Sequence, residues 1–300
     1  MNILITGGTG LIGQHLTKTL QAKGHTISYL SREKEQIPHV KVYQWDLKSD
    51  YIQEEALKNI DYIVHLAGAG IADKRWTDER KQEIIDSRIK PIELLKKELK
   101  KNNIKLKGFI SSSAIGYYGG NTGEERVNEN TKPGNDFLAK CTKLWEEHAQ
   151  NMTQADRVVM IRTGVVLSEK GGALPKLLQP VKLGVGSPLG SGKQWMSWIH
   201  IDDLCDIYIK AIEDEAMKGP YNAVAPTPVR NEEMTKTVAE VLHKPLWAPN
   251  VPAFVLKLLF GELAITILGG NYVENKRIVE ETKYTYKFPD LVSALQNLLK

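Results

Sequence analysis

Cysteine is scarce in this 300-residue chain: Cys141 and Cys205 are the only two. They are too few for a disulfide framework or a zinc cluster, and no His, Cys, Asp or Glu pair has metal-ligand spacing, so no metal is expected. A membrane-spanning run of about 20 uncharged apolar residues is missing as well. The most hydrophobic window, 251–268, contains Pro252, Lys257, Gly261 and Glu262 and reads as two short amphipathic helices broken at Gly261. The opening MNILITGGTGLIG has no basic n-region and does not read as a signal peptide. Charge of one sign barely prevails, with 40 Lys plus Arg against 36 Asp plus Glu. The lysines at 96, 97, 100, 101, 105 and 107 lack interleaved aromatics for base stacking and suit a helix C-terminus. A G-x-S-x-G nucleophile elbow is also absent. These absences leave a cytoplasmic globular protein with neither membrane nor nucleic acid as a partner.

What is present is alternation. Short β-branched runs at 2–6, 26–30, 40–45, 62–66, 108–112 and 158–162 are separated by amphipathic stretches at 11–23, 78–101 and 137–152. That order predicts an α/β fold with a parallel sheet and helices on both faces. NILIT and YIVHLA are apolar on both faces, as central strands of such a sheet are. The helix at 78–101 carries one apolar stripe (Ile84, Ile85, Ile89, Ile92, Leu95, Leu99), and Pro91 should kink or restart it. After about residue 167 the pattern loosens through Gly171, Gly172, Gly184, Gly186, Gly190 and Gly192. Helices are then expected at 203–214, 231–242, 253–260 and 291–299. The expected division is 1–167 for the sheet domain and 168–300 for a smaller α+β substrate lobe, with a boundary that can interleave.

The segment Thr6-Gly7-Gly8-Thr9-Gly10-Leu11-Ile12-Gly13 follows the first strand and opens the first helix. Gly7 makes the tight turn, Gly10 admits a pyrophosphate, Gly13 allows helix–strand packing, and the helix start offers free N–H groups to an anion. This is a Rossmann-type, doubly wound dinucleotide site. An acidic residue at the end of the second strand would hold an NAD ribose. Ser31-Arg32 stands there instead, with Glu33 after it, and pairs better with a 2′-phosphate, so NADP(H) is favoured over NAD(H). Asp46-Leu47 falls near the adenine edge, where Asp46 is equally readable as a turn cap.

TGGTGLIG, the strand ending His65-Leu66-Ala67-Gly68, and Ser111-Ser112-Ser113 before Tyr118-Gly119 together resemble the extended short-chain dehydrogenase/reductases. LAGAGIADKRW (66–76), Ser87-Arg88, IRTGVVL (161–167), GSGKQWMSWIHIDD (190–203) and GELA (261–264) resemble its atypical epimerase-family branch, sugar-nucleotide-epimerase-like, with its own C-terminal domain. The resemblance covers essentially the whole chain. It implies that Gly7, Gly10, Gly13, Arg32 and the Ala67-Gly68 loop line the NADP site. Thr9, Leu11 and Ile12 belong to the same turn. It also implies an oxidoreductase or epimerase acting on a small polar or nucleotide-linked metabolite, as a monomer or homodimer. The glycine-rich stretch 184–192 and the smaller lobe would shape the substrate pocket.

Such enzymes use a serine, a tyrosine and a lysine to move a proton beside the hydride site. The resemblance puts Ser113, or Ser112, at the serine position and Lys140 in the right helix. Four residues before Lys140, however, stands Asp136 rather than tyrosine. Asp136 can be the acid/base or the helix N-cap; beside Lys140 an ionised carboxylate donates protons poorly. Tyr117 or Tyr118 can swing in from the serine loop, or the protein binds NADP without turnover and acts as a sensor or regulator. Arg75 is a candidate for holding an anionic substrate group, or for a surface pair. Trp198 and His200 are candidates for the substrate cleft, or for an ordinary buried strand before the helix capped by Asp202 or Asp203.

Overall fold

The computed structural model describes residues 1–299. The first half runs β1 (Asn2–Thr6), α1 (Leu11–Ala22), β2 (Thr26–Ser31), β3 (Lys41–Asp46), β4 (Tyr51–Ile52), β5 (Tyr62–His65) and α2 (Asp78–Lys101). It continues with β6 (Gly108–Ala114), β7 (Arg126–Val127), α3 (Phe137–Gln150), β8 (Val158–Thr163) and β9 (Val165–Leu167). The second half holds α4 (Leu174–Lys182), β10 (Trp195–Met196), β11 (Trp198–His200), α5 (Ile201–Glu213), β12 (Gly219–Ala223) and β13 (Val229–Arg230). It ends with α6 (Asn231–Val241), α7 (Ala253–Phe260), α8 (Ile265–Leu268), β14 (Tyr272–Val273), α9 (Lys276–Thr282) and α10 (Leu291–Leu298).

Eight strands make one sheet in the order β12-β8-β6-β5-β1-β2-β3-β4. All its pairs are parallel except β3 with β4. The expected Rossmann-type sheet is present. Strand order reverses at β1: the chain goes to β2 on one side and returns through β5 on the other, which opens the crevice where such sheets bind ligands. Leu16 and Leu20 of α1 and the apolar face of α5 share one core with Ile3, Ile5 and Val64. Ile92, Leu95 and Leu99 of α2 and Trp145 of α3 fill the other, against Leu4, Ile63 and Phe109. Alternate residues of one strand thus serve opposite layers.

The two halves interleave, as the expected division allowed: β12 pairs with β8 from Gly219↔Val159 to Ala223↔Thr163 and α5 packs beside α1. The chain crosses back because β8 would otherwise be an exposed sheet edge. One expectation changes. The helix expected to kink or restart at Pro91 runs as one 24-residue element with Pro91 buried inside it. Thr77 caps its start and its buried stripe holds both halves on the sheet. The 251–268 window forms α7, a turn at Gly261 (φ +60°) and α8. Among the described residues no helix is long and apolar enough to cross a membrane.

Candidate cofactor and active site

The turn between β1 and α1 is built by steric demand. Gly7 has φ +72°, and a Cβ there would lie 2.8 Å from the Ala67 amide nitrogen. A Cβ on Gly13 would lie 2.6 Å from the Gly7 oxygen and from Gly8 Cα. Gly10 donates its N–H to the Gly7 oxygen at 3.1 Å and stands at the N-cap of α1 without a side-chain cap or a first-turn acid. By contrast, α2, α3 and α5 carry side-chain caps. The first N–H groups of α1 thus have no side-chain acceptor from the N-cap. Thr9 is exposed, with its carbonyl held by Gln14 Nε2 at 2.7 Å. Leu11 and Ile12 are half-buried. Gly8 was not assigned above, yet a Cβ on it would strike the Tyr29 ring at 2.4 Å; its signal was only the doubled glycine.

Around that turn, the Thr6 hydroxyl lies 2.7 Å from His65 Nδ1 and accepts the Ala67 N–H at 3.3 Å. The imidazole is fully buried and neutral at pH 7. Burial pushes the His65 pKa down to about 4. Gly68 is exposed, and Ala69 donates its N–H to the Ser87 hydroxyl at 2.9 Å. Ser31 ends β2, and Arg32 and Glu33 beyond it are exposed. Asp46 is a turn cap: it accepts Lys48 N–H at 2.9 Å and the Ser49 hydroxyl at 2.7 Å, and these bonds, the Lys48 amide first, lower its pKa. Leu47 packs on the α2–α3 core.

The four acid/base candidates make no hydrogen bond to one another among the described residues; Ser113 and Tyr117 are linked only through Glu146 and Arg162. Ser113, 3% exposed, donates to Glu146 Oε1 at 2.5 Å. Glu146 in turn takes Arg162 in a two-pronged pair, 2.8 Å on each side. Arg162 Nη1 donates to the Tyr118 oxygen at 3.0 Å, and Tyr118 donates to Asn222 at 2.8 Å. Burial pushes the Tyr118 hydroxyl up to about 12. Burial opposes the charge on Arg162, but the Glu146 bonds outweigh it and raise its pKa. Asp136 is the N-cap of α3: one oxygen accepts the Ala139 N–H at 2.9 Å and the other the Gly120 N–H at 2.6 Å. Lys140 is exposed, while Leu138, Ala139, Cys141 and Thr142 take the buried face of α3. Tyr117 lies under Arg162, whose Cζ is 3.5 Å from its ring centroid, and lines a hollow with Lys143, Glu147 and Gln150. Ser112 faces the opposite layer, 2.5 Å from the Tyr208 hydroxyl.

Two substrate candidates, Trp198 and His200, are buried, as the alternative reading of the strand had it. Trp198 is fully buried and donates its indole N–H to the Thr227 carbonyl at 3.0 Å. His200, 1% exposed, caps α5 by accepting the Asp202 N–H at 3.1 Å and packs 3.9 Å from the Phe288 ring. Burial lowers its pKa. Alternation along β11 with a following helix start puts both side chains into packing. Arg75 remains exposed; its Nη2 donates to the Leu258 carbonyl at 3.1 Å. With the Lys81–Glu262 ion pair, it ties the start of α2 to the 258–262 segment of the second half.

Residues 3–224 match the NAD dependent epimerase/dehydratase family, and residues 251–298 match a domain of unknown function (DUF1731). The chain is 38% identical, over its whole length and 98% of the relative's, to the epimerase family protein YfhF of Bacillus subtilis. It is 37% identical over its whole length to an SDR39U1 homolog, chloroplastic, of Arabidopsis thaliana, of which it covers 87%. The crystal structure of human epimerase family protein SDR39U1 (isoform 2) with NADPH superposes with a TM-score of 0.87 at 32% identity, covering 99% of each chain.

Proposed function

The chain belongs to the NAD dependent epimerase/dehydratase family, and from that premise we propose that it binds NADP(H) in preference to NAD(H) without a serine–tyrosine–lysine proton relay. Gly7, Gly10 and Gly13 with the open start of α1 would hold the pyrophosphate. Ser31 and Arg32 would meet the 2′-phosphate, and Ala67 and Gly68 would flank the cofactor. The residues present suit the group: backbone fills the space a Cβ would take at Gly7 and Gly13, and the start of α1 has no side-chain cap. NADPH in the human relative's structure supports the same cofactor here. A bound nicotinamide supplies or accepts a hydride.

The observation that carries the reading is the fate of the proton-transfer groups. Ser113 is committed to Glu146, Asp136 spends both oxygens on backbone N–H groups, and Lys140 points to solvent. A sensor or regulatory NADP(H)-binding protein is the function this arrangement supports best. A second reading, oxidoreductase or epimerase on a small polar or nucleotide-linked metabolite, is favoured by the Arg75 and Lys81 contacts to the second half. They build a wall that holding a dinucleotide does not require.

Thermal unfolding with NADPH, NADH and neither tests the binding, since a ligand of the folded state raises the midpoint. NADPH is expected to raise it more than NADH. NADPH consumption against a carbonyl panel, with product analysis of sugar nucleotides, tests turnover. A rate that falls in Ser113→Ala overturns the silent reading.

A further inference from the structure

Among the described residues four arginines are buried, and three have their charge answered. Arg162 has both carboxylate oxygens of Glu146. Arg80 has Glu83 at 2.7 Å and Asp73 at 3.8 Å. Arg157 spreads over the carbonyls of Ala211, Ile212 and Met217, at the C-terminal end of α5, where the helix dipole is negative. Arg88, only 7% exposed, is different. Its Nη1 donates to the Ile84 carbonyl at 2.9 Å and the Ser87 hydroxyl at 3.3 Å. Among the described residues its Nε and Nη2 have no hydrogen-bond partner and it forms no ion pair, and neither nitrogen is sealed from the surface as Nε of Arg80 and of Arg157 is.

The surroundings supply no negative charge. On one side is the Trp145 ring, 5.1 Å from Cζ. Cys141 on α3 is a thiol that burial keeps protonated, and His65 is neutral. On the open side is the loop after β5: a Cβ on Gly68 would lie 3.4 Å from Arg88 Cγ and Cζ. The same loop touches the glycine turn at Gly7. A guanidinium stays protonated even when burial lowers its pKa, as it does here. An unanswered buried charge is unfavourable until a counter-charge arrives.

We propose that Arg88 is an anion-binding residue, whose guanidinium receives a phosphate or carboxylate oxygen of a ligand seated over the Ala67–Gly68 loop. The proposal rests on the dinucleotide reading for the place of that ligand. The oxygen comes either from the dinucleotide or from a second, anionic ligand bound beside it.

The test compares wild type with Arg88→Met and Arg88→Lys. Thermal unfolding is measured without ligand, NADPH is titrated, and pyrophosphate and malonate are then titrated onto protein with and without NADPH. Arg88→Met is expected to be at least as stable as wild type without ligand. It should lose affinity by about tenfold or more, with part of the loss restored by Lys, as for a charge-assisted bond. Loss in the NADPH titration identifies a dinucleotide phosphate as the source. Loss only of pyrophosphate or malonate binding identifies a second anionic ligand. An Arg88→Met protein that unfolds without ligand, or that binds all three probes as wild type does, overturns the proposal. Wild type failing to bind NADPH removes the dinucleotide reading, and the two anion titrations on the free protein still judge Arg88.

Discussion

Two corners of one sheet edge treat polar groups in opposite ways. At the β6–β8 corner Ser113, Glu146, Arg162, Tyr118 and Asn222 satisfy one another in an unbroken chain. At the β1–β5 corner the α1 start has no cap, Arg32 stands free in solvent, and Arg88 is buried without a counter-charge. Residue type does not separate the two, for arginine and serine occur in both. What separates them is whether the fold has already answered the group. Answered groups hold the protein together, and the proposals above turn on the unanswered ones.

The largest break in this contrast comes from Glu146→Leu. It strands Arg162, which is 2% exposed, and is expected to cost about 3–5 kcal/mol in chemical denaturation. Adding Arg162→Met should recover most of the loss, since the pair matters mainly once half of it is gone. A loss below about 1 kcal/mol would show the corner to be as open as its neighbour. Next comes acid. His65 lies between the corners with a folded-state pKa of about 4, below its ordinary 6.5. From pH 6.5 down to 4 the unfolded chain binds the proton and the folded one does not, so stability falls across that window and is full above it. The loss is on the order of 3 kcal/mol; burial lowers His200 and His25 too, so they add in the same direction. Denaturation at pH 7 and 4.5 checks it, and His65→Gln should flatten the slope. Third is Ser113→Ala, which removes one hydrogen bond to a charged carboxylate and should cost about 1.5–3 kcal/mol with NADPH affinity unchanged.

The open corner was legible in the sequence and the closed one was not, for a physical reason. The glycine turn is decided by contacts among neighbours: Gly13 meets Gly7 and Gly8, and its spacing is its mechanism. The cap role of Asp136 was equally local, three residues from Ala139. Ser113 and Glu146 are 33 residues apart, and Tyr118 and Asn222 are 104 apart. No spacing rule announces that a serine is already spoken for. The same holds for the fold. Strands with β-branched runs stood out, whereas β12, with the sequence GPYNA, has no β-branched residue and becomes a strand because β8 beside it needs a partner. His200 and Trp198 stayed open between two readings because a titratable or aromatic side chain looks the same in a cleft and in a core until Phe288 and Thr227 are placed against it.

The smallest change in stability, and the sharpest test of the open corner, is Arg32→Ala. Arg32 is exposed and makes no hydrogen bond or ion pair among the described residues, so its loss should alter stability by no more than about 0.5 kcal/mol. If its guanidinium waits for a 2′-phosphate, NADPH affinity falls by about tenfold or more while NADH affinity stays where it was. Both titrations in one buffer are needed, because an exposed cation also attracts any anionic ligand at low salt. Equal losses for the two dinucleotides would mean Arg32 supplies only general attraction. The choice between cofactors would then lie elsewhere along the β2 end, with the Ser31 hydroxyl as the remaining polar group.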